Sequence, residues 1–173
     1  GMKGMYYRIT GDIESAVSNF GKAIDCADDL NDKLNWIVQK GTMFYVKQDI
    51  KGLWECVCQG MGEIQKPDEE NAVYAEIYNL YGLYFMLVQE FAIASEYFRK
   101  AEVLGKCYLG EFAEATVKFR ANFLLAQYHD GNVEESREQM IKLLEQMSNS
   151  PEIYPEIYAV VQNNVLAVSL ANY

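Results

Sequence analysis

The chain has 173 residues, half of them apolar, which is enough for one domain with a continuous core. Its 25 acidic residues outnumber 15 lysines and arginines, and the net charge of -10 disfavours binding to nucleic acid or to an anionic membrane surface. An aromatic content of 13% excludes a disordered chain, and no stretch is long and apolar enough to predict a membrane span.

The pattern of small residues predicts four successive helix pairs. In each pair a small or apolar residue on the first helix is followed 12, 16 and 19 residues later by further small or apolar residues on the second. These sets are Gly4, Ala16, Phe20 and Ala23; Gly41, Leu53, Val57 and Gly60; Gly82, Ala94, Phe98 and Ala101; and Leu124, Ser136, Met140 and Leu143. Turn-forming residues separate the paired helices at 10–12, 48–49, 89–90 and 130–132.

The predicted pairs cover residues 2–29, 31–65, 70–107 and 110–149, and a final helix covers 152–172. Pro67 and Pro151 mark the two clearest breaks between helices. We predict a single helical domain over 1–173. The opening helix is short before Gly4 and the last helix is apolar nearly all round, so we expect the domain to be a piece of a larger protein.

The third pair carries the most specific motif. Segment 78–85 reads YNLYGLYF and segment 94–101 reads ASEYFRKA. This resembles the tetratricopeptide repeat, in which an aromatic, a Leu-Gly and a Tyr on one helix precede Ala-x3-Phe-x2-Ala on the next. The resemblance implies an all-α fold, a right-handed solenoid of antiparallel helix pairs with about four repeats and a C-terminal helix. The small residues repeat every 37 to 42 positions, which is similar to the irregular long-repeat arrays of bacterial regulatory and signalling proteins.

Residues that could carry catalysis are sparse. The lone histidine, His129, lies beside a turn, and neither a glycine-rich phosphate loop nor a calcium loop occurs. Cys56 and Cys58 are two residues apart within a predicted helix, so they cannot share a metal ion. We predict no enzyme activity, no cofactor and no metal. Four free thiols without an export signal predict a cytoplasmic location.

The candidate binding surface is the concave side of the predicted array, lined by the first helix of each pair. Large apolar side chains there can hold the side chains of a bound peptide, while polar ones bond its backbone. The groove candidates are Arg8, Thr42, Tyr45, Asn79, Leu83, Met86, Asn122, Leu125 and Tyr128. The prediction is an interaction module that binds a protein or peptide segment. The alternatives are that these residues pack under a neighbouring helix, and that the array serves self-association, as a homodimer, or links other domains.

Overall fold

The computed structural model describes residues 12–64, 70–149 and 155–171, and these ranges contain eight α-helices and no strand. The helices are α1 (Ile13–Asp25), α2 (Leu30–Lys47), α3 (Ile50–Glu63), α4 (Ala72–Leu87), α5 (Phe91–Tyr108), α6 (Glu114–His129), α7 (Val133–Ser148) and α8 (Pro155–Leu170). The predicted all-α class is confirmed. The predicted helix around Gly4 and the connection at Pro67 lie outside the described residues.

Short polar side chains fix where several helices begin. The Asp29 carboxylate caps α2 by accepting hydrogen bonds from the backbone N–H groups of Asn31 (2.7 Å) and Asp32 (3.1 Å). Asp49 caps α3 through the N–H of Gly52 at 2.9 Å. Each carboxylate satisfies backbone donors that have no partner within the helix, and its charge complements the helix dipole.

The helices form two compact units, with the division between Gln89 and Glu90. The first unit contains α1 to α4 and the second contains α5 to α8. Within each unit, a helix contacts its neighbour in sequence and, for α2 with α4 and α6 with α8, the helix two places along. This gives each unit a helical-repeat-like packing.

Successive helices of the first unit run antiparallel, because residues late in one helix contact residues early in the next. The contacts that fix this direction are Lys33–Glu63 and Phe44–Gly52 between α2 and α3, and Gly60–Ile77 and Trp54–Tyr84 between α3 and α4. In contrast, α2 and α4 run parallel, since Asn31 bonds Asn71 near their starts and Gly41 packs on Leu80 further along.

The second unit begins with an antiparallel pair, α5 and α6. Phe91 at the start of α5 stacks on His129 at the end of α6, with ring centroids 5.0 Å apart. At the other end, a Cβ added to Gly105 would lie 2.7 Å from Thr116 Oγ1. The remaining helices, α7 and α8, share a core with α6 that includes Leu124, Met140, Leu143, Val161 and Val168.

The predicted spacing marks the core of both units. Leu53, Ala94, Phe98 and Ala101 are fully buried, and Ser136 is 1% exposed. Members on the first helices, Gly41, Gly82 and Leu124, are buried as well. Among the predicted positions that the structure describes, the exception is Ala23, which is partly exposed.

A left-handed backbone residue recurs in the turns at the repeat spacing. Gln48 (φ 57°), Gln89 (φ 62°) and Gly131 (φ 103°) follow α2, α4 and α6. Each lies seven residues after the small position of its pair, at Gly41, Gly82 or Leu124. A left-handed residue is a common way for a helix to end, and it lets the next helix begin within a few residues. The chain therefore repeats in backbone conformation as well as in buried positions.

Candidate ligand-binding surfaces

The predicted groove residues of the first unit lie on its two parallel helices. Thr42 and Tyr45 are on α2, and Leu83 and Met86 occupy the matching positions on α4, 41 residues later. All four side chains are half-buried. Because α2 and α4 pack side by side in the same direction, equivalent residues form two parallel rows. We call these four residues the α2–α4 face.

The α2–α4 face is mainly apolar. The Thr42 hydroxyl donates to the Val38 carbonyl at 2.8 Å, so its polar group is satisfied within the helix. Burial raises the pKa of the Tyr45 phenol above its ordinary value. Val46, the next residue, is 61% exposed. The face thus combines one sheltered ring with half-buried apolar side chains, and Val46 beside it adds an accessible apolar side chain.

The other predicted groove residues are placed differently. Asn79 is only 5% exposed and lies within the first unit. Leu125 and Tyr128 on α6 are partly buried and pack against the core that α6 shares with α7 and α8. Asn122, also on α6, is half-buried. Arg8 lies outside the described residues.

An aromatic cluster on α3 and α4 was missed by the sequence analysis. Trp54 is 39% exposed, and its ring centroid is 4.6 Å from that of Tyr84 and 5.9 Å from that of Tyr81. Phe85 completes the cluster, 4.8 Å from Tyr81. The tyrosines of α4 recur every three or four residues, which indicates one helix face, but only the antiparallel packing of α3 brings Trp54 to them.

The second unit contains a cleft of about 850 Å³, which the sequence analysis also missed. One face of α5 forms a wall, α6 forms the floor and the first half of α7 forms the opposite wall. We call it the α5–α7 cleft. Its lining includes Ser95, Glu96, Arg99, Glu102, Val103, Lys106, Glu111, Arg120, Phe123, Leu124, Gln127, Asp130, Asn132, Glu135, Ser136 and Gln139.

Charged groups in the α5–α7 cleft are only partly neutralised. Lys106 pairs with Glu102 at 3.1 Å along α5. The Arg99 guanidinium lies over the Phe123 ring, 6.0 Å from its centroid. Among the described residues neither Arg99 nor the half-buried Arg120 has a salt-bridge partner within 4.0 Å.

The groups that could carry chemistry are dispersed or inert. Cys26, Cys58 and Cys107 are exposed free thiols, while Cys56 is buried. Burial raises the pKa of the Cys56 thiol to about 11, so it is protonated and weakly nucleophilic at neutral pH. In the described ranges no three histidine, cysteine, aspartate or glutamate side chains converge to hold a metal ion. His129 is stacked on Phe91 rather than paired with a nucleophile.

Comparisons with known proteins identify no family for this chain. No protein-family model matches the chain, and a search of curated proteins finds no significant match. Across residues 12–64, 70–149 and 155–171, no helix has the length and apolar character required to cross a bilayer.

Proposed function

We propose that this chain is a protein-interaction module that binds a peptide segment of a partner protein on the α2–α4 face. The observation that carries the proposal is that half-buried residues at equivalent positions, Thr42 and Leu83, and Tyr45 and Met86, lie on parallel adjacent helices. Two rows of this kind present regularly spaced apolar sites to a bound segment, and side chains at such sites supply most of the binding energy in many interfaces.

The proposal includes a tetratricopeptide-like solenoid, in which equivalent helices line one concave surface. Support comes from the antiparallel neighbours, the parallel α2 and α4, and the left-handed turn residues Gln48, Gln89 and Gly131 that recur at the repeat spacing. Such an array suits a cytoplasmic regulatory or signalling protein, where a helical repeat holds a partner while another domain acts.

The experiment is selection of peptides from a random twelve-residue phage library on the purified chain. Selected peptides would then be titrated against the wild type and against Tyr45→Ala and Met86→Ala. We expect each substitution to weaken binding by about 2 kcal/mol if the side chain is a central anchor. Tyr108→Ala is the matched control, because Tyr108 is 48% exposed, lies at the end of α5 in the other unit and does not line the α5–α7 cleft.

Amide hydrogen exchange locates the bound peptide independently of the substitutions. Protection on α2 and α4 that appears with the peptide and disappears in Tyr45→Ala would support the proposal. Peptides that bind the three variants and the wild type equally would overturn the α2–α4 face as the site.

A second candidate function is self-association, and one observation favours it. On α8, Leu166 and Leu170 lie one helical turn apart and are 55% and 70% exposed, which leaves a short apolar row on this helix. Two copies of the chain that pack these rows together would bury them. Sedimentation at increasing concentration tests this, with Leu166→Glu as the variant expected to remain monomeric. A monomer at all concentrations would exclude this role.

A further inference from the structure

Two arginines of the α5–α7 cleft lie level with each other, near the middle of its length. The ring stack and the glycine contact that join α5 to α6 at their two ends fix the register of these helices. By this register Arg99 of α5 lies level with positions 121–122 of α6, so Arg120 is within about 3 Å of it along the helix axis. Arg99 is also halfway along the α5 lining, which runs from Ala92 to Lys106.

An aromatic ring lies beside both arginines. Phe123 is one helical turn from Arg120 on α6, and the Arg99 guanidinium lies over its ring, 6.0 Å from the centroid. In the described ranges of the chain, neither guanidinium has a carboxylate within 4.0 Å. Two guanidinium groups at the same level can both donate to one carboxylate, and the aliphatic stem of that group can pack on Phe123.

The two arginines lie between acidic flanks. Toward the end of α6 the cleft carries three exposed carboxylates, which belong to Glu96, Asp130 and Glu135. Toward the start of α6 it carries Glu111, on the connection from α5, and Glu102, which is paired with Lys106 at 3.1 Å. The uncompensated positive charge of the cleft is therefore confined to its middle. A ligand with many negative charges would be repelled at both flanks, whereas a single carboxylate between basic or neutral groups would not.

The lining of the cleft suits a protein segment better than an apolar small molecule. Small-molecule sites are lined predominantly by hydrophobic and aromatic side chains. The apolar residues that line this cleft are few: Ala92, Val103, Phe123 and Leu124. The α5 wall is about 21 Å long, which is the length of about six residues of extended chain. On the floor and the far wall, Gln127 and Gln139 carry amides of the kind that bond a peptide backbone.

We infer that the α5–α7 cleft binds an extended segment of a partner protein through one acidic side chain, whose carboxylate lies between Arg99 and Arg120. The residues of the segment on both sides of that carboxylate are basic or neutral, because they face the acidic flanks of the cleft. This site is separate from the α2–α4 face, and the inference stands without the function proposed for that face.

Three fluorescent six-residue peptides with capped ends test the inference. The central peptide has a glutamate and a leucine in the middle, a glycine on each side of them and a lysine at each end. The displaced peptide has the same composition, with the glutamate at one end and both lysines in the middle. In the glutamine peptide, glutamine replaces the glutamate of the central peptide.

Fluorescence anisotropy at low salt measures the three affinities. We expect the central peptide to bind about tenfold more tightly than either of the others, since only it places a carboxylate at the arginines. The protein has a net charge of -10, so nonspecific attraction would instead favour the more positive glutamine peptide. Equal affinities, tighter binding of the glutamine peptide, or no binding of the central peptide at about 1 mM would overturn the inference.

Variants assign the binding to the middle of the cleft. Arg120→Gln should weaken binding of the central peptide about tenfold, the loss expected for one charge-assisted hydrogen bond. Arg120→Lys should recover part of that loss, because it restores the charge without the planar fork of donors. Lys100→Gln is the matched control: it removes the same charge next to Arg99, and Lys100 lies over the Tyr97 ring, 4.9 Å from its centroid, outside the cleft. We expect it to change the affinity by no more than about twofold.

Combining the peptides with the variants locates the carboxylate. In Arg120→Gln the preference for the central peptide over the glutamine peptide should shrink to about threefold or less, whereas in Lys100→Gln it should stay at about tenfold. An undiminished preference in Arg120→Gln would overturn the placement of the carboxylate between the two arginines. Melting curves of Arg120→Gln should match the wild type within a few degrees. If that variant does not fold, Arg99→Gln gives the same test, because Arg99 is exposed.

Discussion

Gly41 of α2 packs directly against Leu80 of α4. A Cβ added to Gly41 would lie 2.5 Å from Leu80 Cδ2 and 3.2 Å from Leu80 Cγ. Leu80 is 1% exposed, so its side chain has little free space into which it can turn. The absence of a side chain at Gly41 therefore allows α2 and α4 to lie side by side.

Gly41→Ala should destabilise the fold for this reason. The added methyl group must displace a packed leucine, and overpacking of this kind typically costs about 1–3 kcal/mol. Urea unfolding followed by circular dichroism measures the change. Gly62→Ala is the control, because Gly62 is exposed on α3 and a Cβ there would meet no atom within 4 Å. That variant should gain up to about 1 kcal/mol from helix propensity. Equal effects in the two variants would contradict the close packing.

Phe98→Ala and Phe112→Ala remove the same atoms from opposite environments. Phe98 is fully buried in α5, whereas Phe112, just before α6, is 66% exposed. Truncating a buried phenylalanine costs about 3–5 kcal/mol, because transfer energy is lost and a cavity remains. We expect the exposed truncation to change stability by no more than about 0.5 kcal/mol. Thermal melts of both variants give the comparison, and similar melting temperatures would place Phe98 outside the core.

Thr116→Val should stabilise the protein. Thr116 is 1% exposed, and its hydroxyl has no hydrogen-bond partner among the residues that the structure describes. A buried polar group without a partner costs about 1–3 kcal/mol, and valine has nearly the same shape. Thr42→Val is the counterpart, since the Thr42 hydroxyl bonds the Val38 carbonyl. We expect it to be neutral or destabilising. Loss of stability in Thr116→Val would indicate that the hydroxyl does have a partner in solution.

Cys56 should make stability fall at alkaline pH. Burial raises its pKa from the ordinary value of 9.0 to about 11. Below pH 9 the thiol is protonated in both the folded and unfolded states and adds no pH dependence. Between about pH 9 and 11 the unfolded chain loses this proton first, so the free energy of unfolding decreases.

The difference in the free energy of unfolding between the wild type and Cys56→Ala isolates the contribution of Cys56. The tyrosines, which also ionise at high pH, are present in both proteins. Urea unfolding at pH 8, 9 and 10 should show that the free energy of unfolding declines more steeply with pH in the wild type than in Cys56→Ala. Parallel slopes would contradict the prediction. Thiol labelling gives a second readout at neutral pH: the exposed Cys26, Cys58 and Cys107 should react in the folded protein, and Cys56 should react only after unfolding.

The core was predictable because its residues recur at fixed intervals. Ala94 is small and Phe98 is aromatic, as the repeat pattern requires where two helices cross, and both residues are fully buried. The turns were predictable for a related reason, since Gly131 lies in a turn-forming run. The left-handed conformation of Gln48 had no comparable signal, because glutamine is not a residue that favours it.

The surfaces were less predictable, because exposure depends on helices that are distant in sequence. Asn79 lies on α4, whose buried residues include Tyr74, Ala75, Ile77 and Leu80. A helix that is covered on two sides by α2 and α3 gives no single apolar stripe from which the exposed face can be read. The α5–α7 cleft was hidden for the opposite reason: Glu96, Arg99 and Glu102 have the pattern of a solvated helix face, and the position of α7 decides that they border a cleft.

The restriction of helix contacts to neighbours one or two places along has a kinetic consequence. Every substantial contact between described helices closes a loop of a few tens of residues, so the chain has a low contact order. Loop-closure entropy is then lost in small steps, and each hairpin can form without waiting for a remote segment. We expect refolding within about a millisecond, in the range of helical bundles and well ahead of sheet proteins of similar size.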